Sequence, residues 1–301
     1  MNLSVCIATY RREERLAALL EDLMRQQLKP DEVVVVDNDL TQSARGVVEE
    51  RARGCPYPII YDVQPERSIA LTRNRTVHLA RGQWLAFIDD DERAPPQWLK
   101  LLRAAADTYG ADGVLAPVEP QVPASAPAWL RRGKFYDWPH LPSGARVPPA
   151  LLRFGNVLLR STVLQAEPGP FDPSYRLSTG EDDDLLRRLL AKGARIIWCD
   201  EALVWEPVER QRQSLRWLMK RALGGGQHFA QLRITGRLGP VGPASRAFMC
   251  ARWALQLLIA LALAALLWPA GKHRAAVWLI KASANLGKLT ALWGWRYSQY
   301  A

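Results

Sequence analysis

Cysteine is scarce in this chain of 301 residues: Cys6, Cys55, Cys199 and Cys250 are the whole complement. No pair has metal-ligand spacing such as C-x-x-C, and no disulfide framework is implied. Nor does an apolar leader open the chain. Met1 to Tyr10 reads as a short apolar strand running directly into polar residues, so the N-terminal domain is expected to stay in the cytoplasm. Disorder is excluded as well, since 49% of residues are hydrophobic and 23% charged. What the chain has in excess is positive charge: +10 at neutral pH. Such a balance suits nucleic acid, anionic lipid or phosphate-bearing small molecules. Much of it lies in the last third, at Arg210, Arg212, Arg216, Lys220, Arg221, Arg233, Arg237, Arg246 and Arg252, around an apolar run. Basic flanks on an apolar segment favour a cytoplasmic membrane face over nucleic acid.

The first ninety residues alternate between two periods. Leu3–Ala8 is a β-rich apolar run, followed by Thr9-Tyr10-Arg11-Arg12 and a helical pattern with Leu16, Leu19, Leu20 and Leu23 on one face. Glu32–Val36 is a continuous β-branched run, as in a strand buried on both faces, and ends at Asp37-Asn38-Asp39. A helix over about residues 42–53 precedes a strand at Ile59–Val63. A helix near Ile69–Ala80 then leads to the strand Trp84–Ile88, which ends in Asp89-Asp90-Asp91-Glu92. This alternation predicts an α/β fold with an open, mostly parallel sheet. Ligands in such sheets bind beyond the carboxyl ends of the strands, where Thr9-Tyr10, Asp37 and Asp89–Asp91 converge. From Pro117 to Pro149 prolines recur among Trp129, Tyr136 and Trp138, which reads as a long irregular segment covering a site, or as a mobile insertion. Ser178–Asp184 then opens a helix with Leu185, Leu186, Leu189 and Leu190 on its buried side.

Three adjacent carboxylates repel one another and do not belong in a core. At a strand end, Asp89-Asp90-Asp91 suits Mg²⁺ or Mn²⁺ carrying a diphosphate, the plainer reading being an acidic loop. Glu181-Asp182-Asp183-Asp184 offers a general base after Thr179-Gly180, or simple helix capping. Asp37 is placed to accept from a nucleobase or ribose, or to form an Asx turn. Arg67 and Arg73 suit phosphate or the metal carboxylates. Tyr10 suits a nucleobase or the close of the sheet.

Taken together and in order, Ser4–Arg12, Val35–Asn38, Arg73-Asn74, Trp84–Glu92 and Gly180–Leu185 resemble family 2 glycosyltransferases of the GT-A fold, over roughly residues 1–210. Bacterial exopolysaccharide-type members are the most similar. The resemblance implies a Rossmann-like, nucleotide-sugar-binding domain with C-terminal membrane-associated helices. It implies inverting transfer of a sugar from a nucleoside diphosphate donor, with Mg²⁺ or Mn²⁺, to a lipid-linked or other saccharide acceptor in polysaccharide synthesis. Thr9, Tyr10, Asp37, Arg67, Arg73, Asp89 and Asp90 would serve the donor, Asp89 and Asp91 the metal, and Asp182, supported by Glu181, the catalytic base. Many relatives carry a downstream histidine; here the stretch reads Val204-Trp205-Glu206-Pro207, so Glu206 replaces it or that function is missing.

The remaining third divides at about residue 246. Residues 211–246 read as an amphipathic linker and 247–301 as membrane-associated helices, with Leu257–Trp268 as the apolar centre and Trp253 and Trp268 as interface markers. A second segment, about 275–295, holds Lys281 and Lys288 and either lies in the interface or returns as a hairpin partner. A buried helical pair is the soluble alternative. The expected location is the inner membrane, with the catalytic domain on its cytoplasmic face. Two other functions compete. A nucleotidyltransferase would carry a glycine-rich loop, which Thr9–Arg12 lacks. A non-catalytic scaffold would have no need of Asp89, Asp91 and Asp182.

Overall fold

The computed structural model describes residues 2–167, 169–175 and 180–293. Its first unit, residues 1–121, 138–176 and 181–207, is a three-layer α/β domain. The strands are β1 (Leu3–Thr9), β2 (Glu32–Asp37), β3 (Ile59–Val63), β4 (Trp84–Phe87), β5 (Gly113–Leu115), β6 (Val118–Gln121), β7 (Val157–Arg160), β8 (Ile196–Trp198) and β9 (Val204–Pro207). Between them lie α1 (Glu13–Met24), α2 (Arg45–Ala52), α3 (Ile69–Leu79), α4 (Trp98–Thr108), α6 (Ser161–Gln165) and α7 (Glu181–Ala191), with α5 (Ala128–Gly133) in the second unit.

Seven strands form one sheet in the order β3-β2-β1-β4-β7-β5-β8, and β6 pairs with β9 in a small parallel sheet. All pairings in the large sheet are parallel except those of β7 with β4 and β5. The β-branched run of β2 is buried at every position because it lies between two parallel neighbours with helices on both faces. Side chains alternate across β1: Val5 and Ile7 join α1 and α4 in one core, while Cys6 joins Leu185, Leu186 and Leu189 of α7 in the other. Leu16, Leu19, Leu20 and Leu23, spaced for one helix face, are all in the first core. Truncating any one to alanine costs about 2–5 kcal/mol.

The chain runs outward through β1, β2 and β3, then crosses back to lay β4 on the other side of β1. That reversal opens a crevice at the carboxyl ends of β1 and β4, the usual ligand position in such sheets.

The second unit comprises residues 122–137, 177–180 and 208–301. It holds α5, α8 (Leu215–Ile234), α9 (Pro243–Leu267) and α10 (Lys272–Thr290). The proline-rich stretch is therefore only partly irregular. It contributes β6 and α5, and its residues 122–137 pack into this helical unit: Ala126 and Leu130 meet Leu218, flanked by Trp129, Phe135, Tyr136 and Trp217. The Tyr136 hydroxyl donates to Arg212 O at 2.7 Å.

Helices α8 and α10 approach through small residues. A methyl group on Gly226 would lie 2.0 Å from Ala284 O, and one on Gly287 would lie 2.1 Å from Leu223 O. The Ser283 hydroxyl donates to Met219 O at 2.6 Å, and Gln227 donates to Thr290 at 3.0 Å. Gly287→Ala is therefore expected to lower thermal stability. In an open helix the same change would stabilise by about 1 kcal/mol, but here overpacking against a backbone carbonyl costs about 1–3 kcal/mol. A raised melting temperature would show that the helices do not pack this way.

Helix α9 buries only Trp253, Ala260 and Ala264 and leaves Phe248, Leu255, Leu258, Ile259, Leu261 and Leu266 exposed. Among the described residues it is the one helix long and apolar enough to cross a membrane. Trp268 is exposed, whereas Trp253 packs inward. Residues 294 and 295, at the end of the second apolar segment expected from sequence, lie outside the described residues, as does Thr179.

Candidate active site

At the crevice, Thr9 ends β1 and its hydroxyl donates to Asp90 Oδ2 at 2.8 Å. Arg12, beside the start of α1, reaches the same cluster, with Nη1 2.8 Å from Asp90 Oδ1 and 3.0 Å from Asp91 Oδ2. Burial pushes the Asp90 carboxyl up to about 6, against the pull of Arg12 and with help from Asp91. Nothing in the Thr9–Arg12 loop singles out Arg12 by itself; only the fold shows that this loop faces the end of β4.

The three aspartates differ in access. Asp90 and Asp91 are buried, while the Asp89 side chain is 44% exposed. Behind them Glu92 is buried, and its Oε2 accepts from Asp89 N at 3.2 Å. Burial, then Asp89, Glu206 and Asp91, raise its carboxyl well above the usual range. Glu206, on β9, thus lies within electrostatic reach of the acidic strand end. Gly155 makes room for this arrangement: at φ +119°, a methyl there would sit 2.7 Å from Glu92 Oε1.

Arg73 joins this edge to α7. Its Nη1 donates to Glu181 Oε1 at 2.8 Å and its Nη2 to Asp89 Oδ1 at 3.2 Å, with the guanidinium over the rings of Phe154 and Phe171. Asn74 beside it forms a reciprocal pair with the Phe171 backbone. Along the first turn of α7, Glu181 is held by Arg73, Asp183 by Arg187 and Asp184 by Arg188. Asp182 is partly exposed, accepts from Asp183 N at 2.8 Å, and makes no ion pair among the described residues. It differs in this from its three acidic neighbours in the turn.

Asp37 is fully buried. Its Oδ1 accepts from Asp39 N at 2.9 Å, and its Oδ2 accepts from Ala44 N at 2.9 Å and from the Tyr61 hydroxyl at 3.0 Å. These bonds are those of the Asx-turn reading of Asp37. Asn38 continues that loop by bonding Gln64 O, Glu66 O and Ser68 N. The neighbouring Arg67 is exposed and lies over the Tyr10 ring at 4.7 Å. Arg11 also approaches the ring, at 5.2 Å, and is held by Asp39 at 2.9 Å. The bond to Arg11 holds the Asp39 carboxyl far below the ordinary carboxylate range.

The set fits a divalent ion of the Mg²⁺ type, which takes one or two protein carboxylates and fills its shell with phosphate and water oxygens. An exposed Asp89 beside Asp91 supplies that donor set. Among the described residues no three His, Cys, Asp or Glu side chains gather as a closed cage.

A separate ionic group stands nearby in sequence. His140 Nδ1 lies 2.6 Å from Asp200 Oδ1 and its Nε2 2.7 Å from Glu119 Oε1. Burial opposes its charge, but the bonds to Asp200 and Glu119 prevail and raise its pKa. The bridge therefore stabilises fully below the unfolded value of about 6.5 and is lost as pH rises through the folded value. His140→Gln is expected to lower the melting temperature more at pH 6 than at pH 8.5. The gap should be small, under about 1 kcal/mol for so exposed a pair, and an equal loss at both pH values would show that the histidine is not charged.

The family model for glycosyl transferase family 2 matches residues 4–154. The chain is 36% identical over 239 residues to the succinoglycan biosynthesis protein ExoM of Rhizobium meliloti, covering 77% of this chain and 75% of that protein. It is 29% identical over 244 residues to the galactofuranosyltransferase GlfT1 of Mycolicibacterium smegmatis, covering 74% of each. In fold it is similar to the mannosyltransferase PcManGT of Pyrobaculum calidifontis, solved with GDP-Man and Mn²⁺, at TM-score 0.68 and 20% identity, over 97% of this chain and 87% of that one. It is also similar to S. aureus TarS 1-349 in complex with UDP-GlcNAc, at TM-score 0.52 and 17% identity, over 99% of this chain and 93% of that one. With a Rossmann-like sheet, an acidic end to β4 and this run of matched sequence, the chain belongs to glycosyltransferase family 2.

Proposed function

We propose that this enzyme transfers a sugar, with inversion, from a nucleoside diphosphate donor to a saccharide acceptor carried on a membrane lipid, in the synthesis of an exopolysaccharide. The observation that carries the reading is the Arg73 bridge. It ties Asp89, at the donor end of the sheet, to Glu181, which precedes Asp182 in the chain. Leaving-group side and base are thereby held in one frame, as an in-line displacement requires. The relative named for succinoglycan biosynthesis, and the neighbours solved with GDP-Man and UDP-GlcNAc, support the substrate class. Family membership weighs against the nucleotidyltransferase reading.

In this scheme Tyr10, flanked by Arg11 and Arg67, packs on the nucleobase. Asp37 and Asn38 shape the loop around it, and Thr9 and Arg12 orient Asp90 and Asp91. Asp89 and Asp91 would hold Mg²⁺ or Mn²⁺, which when bound neutralises charge on the departing diphosphate. Asp182 takes the proton from the acceptor hydroxyl as its oxygen attacks the anomeric carbon. The bond to the diphosphate breaks on the opposite face, so configuration inverts. Glu181, held by Arg73, positions the turn that carries Asp182.

Residues 1–210 would carry this chemistry. Residues 211–246 would lead to membrane-associated helices in 247–301, with the enzyme on the cytoplasmic face of the inner membrane. The exposed apolar surface of α9 supports the membrane association. Purified protein incubated with a panel of nucleoside diphosphate sugars and Mn²⁺ should hydrolyse one donor selectively. If no donor is hydrolysed or bound, the proposed chemistry falls.

A further inference from the structure

Charge is segregated between the two units. Residues 122–137, 177–180 and 208–301 contain seventeen Lys and Arg against two acids, Asp137 and Glu209, whereas the α/β unit has twenty-three against twenty-eight. The net positive charge of the protein therefore comes from the helical unit, which also displays the bare apolar helix.

Within that unit α10 lies between α8 and α9. It meets α8 along Ser283–Thr290, and α9 joins it as a helical hairpin through residues 268–271. One half of α9 faces inward through Trp253, Ala260 and Ala264. The other half presents Leu255, Leu258, Ile259, Leu261 and Leu266 as a continuous exposed face, with Phe248 before it and Trp268 after it.

Two features bear on how such a helix meets a bilayer. The first is register. Lys288 lies within electrostatic reach of Arg252, and Ser283 of the same helix bonds Met219, next to Lys220 and Arg221. If α9 crossed the hydrocarbon with α10 packed along it, Lys281 would enter it too. The second is the flanks. Exposed Arg246 and Arg252 stand at one end of the apolar face and exposed Lys272 and Arg274 at the other. A spanning helix keeps its cations mainly on one side; cations at both ends suit a helix whose ends lie at the same headgroup level.

We infer that the helical unit is a monotopic module for anionic bilayers, in which α9 lies in the plane of the interface with its exposed apolar half inserted and the flanking arginines and lysines on acidic headgroups. This rests on the reading that the enzyme works at a membrane, and decides between spanning and lying. A second copy of the chain is the less suitable occupant, because it would bring the same cations against these.

The test uses full-length protein added to preformed vesicles. Flotation should be at least tenfold greater with vesicles that contain phosphatidylglycerol than with phosphatidylcholine alone, and should weaken as salt is raised. Leu258→Glu with Leu261→Glu should reduce it at least tenfold while nucleotide binding is retained. In a Cys250→Ser background, Ser245→Cys lies near the start of α9 and Arg274→Cys just beyond its end, in the first turn of α10. Both should react with a membrane-impermeant maleimide from outside the vesicles. Reaction of Arg274→Cys only after detergent would show a span and overturn the inference while leaving membrane association intact. Equal flotation on neutral and anionic vesicles would overturn the headgroup assignment. No flotation on either would remove the membrane reading itself. If the double glutamate variant turned a dimer into a monomer and left flotation unchanged, the face would be a self-association surface and the inference would fall.

Discussion

Asp182→Asn is expected to lower turnover by about a hundredfold or more, the size lost when a general base is removed, while donor affinity stays within a few-fold. Asparagine keeps the shape of the side chain and an oxygen to accept from Asp183 N, the bond that Asp182 makes now. The helix start is thus preserved and only the proton acceptor is lost. The neighbours serve as controls, because Asp183 and Asp184 are each held four residues on by Arg187 and Arg188. Asp183→Asn should change stability more than turnover. Rates must be compared at saturating donor and acceptor. If donor binding fails in Asp182→Asn while turnover of the bound complex persists, Asp182 positions the donor and the base lies elsewhere.

The second large effect is expected at the end of β4. Asp91→Ala should abolish the Mn²⁺-dependent part of nucleoside diphosphate binding, at least a tenfold loss or about 1.4 kcal/mol, with the fold intact by melting temperature. Asp91 is buried and shares Arg12 with Asp90. Its removal therefore also leaves the guanidinium to Asp90 and favours that carboxyl in its charged form. The companion variant Asp89→Ala removes the exposed carboxylate that Arg73 reaches. Titration calorimetry with and without Mn²⁺ separates the two. Unchanged metal-dependent affinity in Asp91→Ala, with loss in Asp89→Ala, would move the metal contact to Asp89 alone. Unchanged affinity in both would remove the metal assignment.

Much of the first unit is legible in residue order because its signals are local. A run such as Glu32–Val36 satisfies its side chains only between layers, and the leucines of α1 fall on one face by helical period alone. The carboxylate clusters after β4 and at the start of α7 are legible for a similar reason: charge so dense is excluded from a core. Other features depend on long-range pairing. Nothing local marks Val157–Arg160 as antiparallel in a parallel sheet, and the proline-rich run hides a strand and a helix that belong to different units. The role of Arg12 is equally closed to sequence, and for Asp37 the sequence offers a turn and a ligand contact without choosing between them. One loop position reaches two aspartates some eighty residues away, and the other is enclosed by donors from its own loop and from Tyr61.

Sequence alone determined the α/β class, the strand ends where polar groups collect, and the apolar, cation-flanked character of the last third, since periodicity and charge density act over a few residues. Tertiary structure alone decided that Glu181 is taken by Arg73, which aspartate of the β4 end meets solvent, and which half of α9 is bare. Those outcomes depend on Arg73 and Arg12, far in the chain from the carboxylates they meet, and on α10 packing along α9, and contacts between segments far apart in the chain are formed by the folded backbone and leave no period in the sequence that encodes them.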